Sequence, residues 1–158
     1  MEIAQSLHDL ADPLSSDKEI SSLSDLISSL VFCVDFGKEH EKQLAFYVDC
    51  RRMFPNFDSV IQLIISRVLL LAMTCMQRTG GRKNASNSSF LKSCIAFVHI
   101  TIPSIDSTIR QMWFYVNAAE CALQLNLIGP GEDLLKAAVA VIPNLPSDSN
   151  SQQSLCSI

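Results

Sequence analysis

The sequence predicts an all-α fold: an α-solenoid of about three antiparallel, HEAT-like helical hairpins. Three observations point there. The central run from Gln43 to Met76 reads as two helices broken at Pro55. The second is apolar on nearly every side, as a helix buried between other helices is. Proline and glycine breaks divide residues 18–142 into helical stretches that pair at a period of about 40 residues, that of HEAT and armadillo-type repeats. Charged residues make up only 18% of the chain and apolar residues 48%, against about 25% charged in an average globular chain. So little charge fits a surface covered by further repeats or by oligomerisation. No identity between the pairs is visible, and a compact bundle gives a similar pattern. The solenoid therefore rests on period and hairpin logic.

Residues 1–17 read as a short helix and linker, with Ile3, Leu7 and Leu10 on one side. Asp12–Pro13 ends it, because the residue before proline is pushed out of helical geometry. Residues 18–146 form the repeat segment. Ile20, Leu23, Leu26, Ile27, Leu30, Val31 and Val34 follow the i, i+3, i+4, i+7 spacing of one buried helical face, and Gly37 stops that helix. Lys38, Glu39, Glu41 and Lys42 make a charged entry to the next. That helix carries two stripes, Leu44, Tyr47, Val48 and Arg51, and Phe46, Cys50, Met53 and Phe54, which suggests neighbours on two sides. Pro55 breaks it, and Asn56 or Asp58 can cap the following helix, which runs to about Arg78.

Thr79 to Ser89 is glycine-rich and polar, an exposed loop. Phe90 to Ile102 is the next helix, ended by Pro103, with Ser104 available as a cap. Ile105 to Leu127 reads as one long helix with the single tryptophan, Trp113. Gly129–Pro130–Gly131 reads as a turn. Glu132 and Asp133 then complement the positive end of a last helix, Leu134 to Ile142, which Pro143 stops. Residues 147–158 hold too little apolar surface to pack and are expected to be disordered. The hairpins are 18–36 with 40–54, 57–78 with 89–102, and 104–127 with 131–142.

Function classes narrow by elimination. A net charge of −4 speaks against nucleic acid as a partner. Cysteines 33, 50, 75, 94, 121 and 156 are too far apart for a zinc-ribbon spacing, and five fall in apolar helical runs as reduced core thiols. Val60 to Met76 is the one membrane-spanning candidate. It falls short of the roughly 20 apolar residues a span needs and contains Gln62, Ser66 and Arg67, so it reads as a core helix. His8, His40 and His99 lack metal or triad spacing. Asp49, Arg51 and Arg52 form either a partner ion pair or a solvated helix end. Arg78, Arg82, Lys83 and Lys92 form a basic patch at the loop, solvated or facing acidic lipid or an acidic partner. Gly80–Gly81 is no phosphate loop, since no GK[ST] follows. Asn84 and Asn87 sit in Asn-x-Ser sequons without a secretory route. Met112 to Tyr115 is a core run or an aromatic hot spot. Arg67, mid-helix in an apolar run, either reaches water along its stem or meets a carboxylate such as Asp49 or Glu120. No catalytic, cofactor or metal residue is assigned, and no enzyme is expected.

Three stretches carry a family resemblance: QLAFYVDCRRMFPNFDSVIQLII (43–65), FLKSCIAFVHITIPSI (90–105) and DLLKAAVAVIPNLP (133–146). Within them stand Phe46-Tyr47-Val48 followed by Arg51 and Met53-Phe54, then Ile100-Thr101-Ile102-Pro103-Ser104, then Leu135-Lys136-Ala137-Ala138 with Pro143 and Pro146 soon after. Together they resemble the large α-solenoid subunit of retriever, a vacuolar-protein-sorting-thirty-five-like family related to the retromer large subunit. The resemblance covers residues 18–146.

It implies a non-catalytic scaffold on the cytosolic face of endosomes, held peripherally through its complex, which returns membrane proteins to the cell surface. It implies two partners, a small metallophosphoesterase-fold subunit and, through the longer protein, an arrestin-like subunit. The matching part lies toward the end that holds the small subunit. Members are several times longer, so the chain reads as a truncated or partial form. No partner-contact residue carries over, because none is marked by a motif. Missing repeats leave apolar faces at both ends, since solenoids need polar caps. The isolated chain is expected to be marginal or self-associating. The alternatives are a generic helical adaptor and a helical-bundle enzyme or ligand-binding protein with its pocket around Val60 to Met76. The last lacks the convergent polar groups that a site needs.

Overall fold

The computed structural model describes residues 17–78 and 85–145. Within them the chain forms six α-helices: α1 (Asp17–Cys33), α2 (His40–Met53), α3 (Asp58–Arg78), α4 (Ala85–Thr101), α5 (Thr108–Gln124) and α6 (Ile128–Val141). Two 3-10 turns, Ile102–Ser104 and Ile142–Asn144, follow α4 and α6. The helix read at residues 3–11, residues 79–84 of the loop, and the tail at 147–158 lie outside the described residues, as do His8, Arg82, Lys83, Asn84 and Cys156.

The helices stand in two layers, α1, α3 and α5 in one and α2, α4 and α6 in the other. Neighbours within a layer run parallel. The Ser24 and Ser59 hydroxyls hydrogen-bond between α1 and α3, and further along both helices Arg67 lies over the Phe32 ring. In the other layer His40 faces Phe90 near the starts of α2 and α4, and Arg51 reaches Ile100 near their ends. Between layers the helices are antiparallel: the end of α3 meets the start of α2 through Arg78 and Gly37. An up-and-down bundle alternates direction around its core, whereas parallel neighbours in each of two layers are what repeated hairpins produce. The fold is an all-α helical-hairpin solenoid. Its last two hairpins, α3 with α4 and α5 with α6, are packed as such. In the first predicted pair, α1 and α2 meet mainly through α3, on which both lie.

Helix α3 is the centre. Val60, Ile61, Ile64, Ile65, Val68 and Ala72 are fully buried. It is long and apolar enough by composition to cross a membrane, and it packs against four neighbouring helices. Its outward side is not buried: Ser66 and Leu70 face solvent. The predicted long helix ends earlier than expected, and the turn moves. The Leu127 N–H donates to the Ala122 carbonyl at 2.8 Å, and the Asn126 N–H to Leu123 at 2.9 Å. Asn126 has φ +63°. This is a Schellman stop. Gly129–Pro130–Gly131 is therefore no turn but the first turn of α6, where a proline needs no N–H. At Gly131 a Cβ would lie 3.2 Å from the Leu123 side chain, so glycine lets α6 approach α5. Likewise α4 begins at Ala85, ahead of Phe90. Ser107, and not Ser104, caps α5 through the Arg110 N–H.

Candidate interaction surfaces

The sequence left the destination of its arginines open, and the structure uses three of them as braces between helices. Arg67 meets neither Asp49 nor Glu120. Its Nε donates to the Tyr47 hydroxyl at 3.3 Å, and its guanidinium lies 4.8 Å from the centre of the Phe32 ring. One half-buried cation thus joins α1, α2 and α3. Its aliphatic stem runs along apolar surface while the planar head stacks, as guanidinium groups do on aromatic faces.

Arg51 is neither free for a partner nor merely solvated. It donates to the Ile100 carbonyl at 3.0 Å and lies 6.0 Å over the Phe97 ring. A cation at the negative end of α4 is favourable. Arg78 donates to the Gly37 carbonyl at 3.1 Å, which draws it from the expected basic patch; Lys92 stays exposed. Asp58 opens α3 and accepts from Gln62 at 2.6 Å and from the Asp106 N–H at 3.1 Å. Arg110 of α5 lies 3.8 Å from the same carboxylate.

Gln43 was not singled out from the sequence, yet it is buried. It donates to the Val34 carbonyl at 3.1 Å and accepts from the Phe36 N–H at 2.8 Å, which pins the link between α1 and α2. A lone glutamine beside an apolar stripe gave no local sign of this role.

The titratable groups sit in packing roles. Burial pushes the Cys50 thiol up to about 12, with the Asp49 charge adding to it. Burial also pushes Cys94 to about 12 and Cys121 to about 11. A nucleophilic cysteine needs the opposite shift. Cys33 is exposed. His99 packs edge-on to Tyr115 at 5.9 Å, and His40 tilts against Phe90 at 6.2 Å. Among the described residues, no three His, Cys, Asp or Glu side chains converge.

The aromatic run divides. Phe114 and Tyr115 are core, while Trp113 is 57% exposed. Trp113 belongs to a stripe on α5 with Ile109, Val116 and Leu123, all exposed. Helix α6 and the 3-10 turn after it show a second stripe of Ile128, Leu135, Val139 and Ile142, with Val139 at 64% exposure. Both follow helical spacing, and they lie on the last hairpin of the stack. Contiguous apolar surface of this kind marks interaction sites.

The whole length of this arrangement has relatives. Residues 1–156 match the family described as the VPS35L C-terminal domain. A Dictyostelium discoideum protein described as "VPS35 endosomal protein sorting factor-like" is 34% identical over 142 residues, 90% of this chain and 14% of the relative. The Homo sapiens protein of that description is 30% identical over 150 residues, 95% of this chain and 16% of the relative. A Drosophila melanogaster protein, again so described, is 34% identical over 147 residues, 93% of this chain and 15% of the relative. The chain thus spans about a sixth or less of the curated relatives it matches. With residues 1–156 matched and a helical-hairpin solenoid observed, this chain belongs to the VPS35L C-terminal domain family.

Proposed function

We propose that this chain is a non-catalytic scaffold segment of a retromer-like endosomal sorting complex, retriever. In this reading residues 18–146 are the repeat unit. They present a helical surface to the small metallophosphoesterase-fold subunit, and the longer protein reaches an arrestin-like subunit. The assembly works at the cytoplasmic face of endosomes, attached peripherally through the complex, and supports recycling of membrane proteins to the plasma membrane. The observation that carries the reading is the family match across residues 1–156, with relatives described as endosomal protein-sorting factors. The braces described above support it. They fix neighbouring helices against each other, which is what a surface that works by shape requires, and they leave large apolar stripes outside.

The test is co-elution. The purified chain is mixed with the small metallophosphoesterase-fold subunit and run on size-exclusion chromatography beside each component alone. A shared peak supports the reading. Separate elution of a folded chain, with the subunit still competent for the longer relative, removes this segment from the partner surface.

A further inference from the structure

Helices α2 and α4 run parallel and touch at both ends, through His40 and Phe90 at one and Arg51 with Phe97 and Ile100 at the other. Between those points they part. Ala45, Ser89 and Ser93 are too small to fill the gap, and a cleft of about 630 Å³ remains. Its floor is apolar, made by Leu44, Val48 and Phe90. Val48 is 44% exposed. Glu41 and Phe90 also line a second hollow of about 390 Å³, which Lys38 and Lys42 border.

The rim of the main cleft is acidic. Glu41 and Asp49 border it, and among the described residues no cation lines it. Neither carboxylate has an ion-pair partner among the described residues. Two nearby cations are engaged elsewhere: Lys42 pairs with Glu39, and Arg51 is spent on the Ile100 carbonyl, while Arg52 and Lys92 are exposed outside the lining. Glu41 and Asp49 stand eight positions apart on one helix, about 12 Å at 1.5 Å per residue. The surface is therefore an apolar trough with a negative charge near each end, separated by two helical turns.

We propose that this cleft docks a basic amphipathic helix from another protein, lying along α2 and α4. Its large apolar side chain enters between Val48 and Phe90. A Lys or Arg one turn before it and another one turn after it, at i and i+7, meet Glu41 and Asp49. Helix-in-groove binding reads anchors at this spacing. A second copy of this chain does not supply such a helix: no two of its lysines and arginines are seven or eight positions apart. An anionic membrane surface is repelled by the rim. The site is separate from the assembly proposed above and stands whether or not the small subunit binds.

A display library of random peptides is panned on the full chain, and synthetic copies of the enriched peptides are measured by fluorescence anisotropy. Enrichment of a large apolar residue flanked by Lys or Arg at helical spacing is the expected result, with binding that weakens as salt rises. Affinity should fall about tenfold or more for Glu41→Lys with Asp49→Lys, and for Val48→Asp, in variants whose circular dichroism matches the parent. Glu41→Gln with Asp49→Asn, which cannot repel, should give a smaller loss in the same direction. The proposal is overturned by enriched peptides without the basic pair, by equal affinity for the variants, or by no enrichment over the naive library. It is equally overturned by self-association that Val48→Asp abolishes, which makes a second copy the occupant.

Discussion

Arg67 shows how far one residue can be read. A charge inside an apolar helix must find water or a partner, and that much is legible locally. Its partners, Tyr47 and Phe32, sit on two other helices, so only the packed fold names them. Arg67→Leu keeps most of the stem's packing and loses the hydrogen bond and the ring contact, each about 0.5–1.5 kcal/mol. Urea unfolding should show a loss of about 1–2 kcal/mol, and Tyr47→Phe should add little once Arg67 is gone. The buried thiols give a second test. The raised values at Cys50, Cys94 and Cys121 mean that the folded chain holds these protons more tightly than the unfolded one. Their contribution is complete below the ordinary thiol value of about 8.5. It is lost as pH climbs toward 11 and 12. Stability measured across that window should decline with pH, and brief alkylation at neutral pH followed by mass spectrometry should mark Cys33 well before these three.

Among the elements, apolar spacing located the helices, and their ends were the harder part. Gly129–Pro130–Gly131 has the composition of a turn, yet proline serves equally well in a first helical turn. The stop instead lies at Asn126, whose left-handed backbone depends on bonds to carbonyls of the preceding turn. Asn126→Gly should therefore hold or gain stability, while Asn126→Ala should lose about 1 kcal/mol through the left-handed penalty, read from paired denaturation curves. At the α1–α2 link, Gln43 does by side chain what no local motif announces. The acidic cleft was equally hidden, because Glu41, Val48 and Asp49 come from one helix while Ser89, Phe90 and Ser93 come from another. A single sequence does not reveal which helices stand side by side.

At the scale of the whole molecule, the low charge content reads as surface meant for covering, and α5 and α6 carry exposed apolar stripes. The isolated chain should self-associate with rising concentration in analytical ultracentrifugation, and Leu135→Lys with Val139→Lys should reduce it. A monodisperse parent at high concentration counts against that. The centre tolerates much less. Ile64 and Ile65 are fully buried in α3, so truncating either to alanine should cost about 2–5 kcal/mol, seen as a lower denaturation midpoint.

The arginine braces also have a mechanical meaning. Arg67 ties three helices, and Arg51 ties α2 to α4 across 49 positions of sequence. Diagonal ties of this kind turn a stack of hinged hairpins into a trussed beam. Flexing that spreads α2 from α4 must first strip Arg51 from the Ile100 carbonyl. A pull on α1 passes through Phe32 and Arg67 into both layers at once.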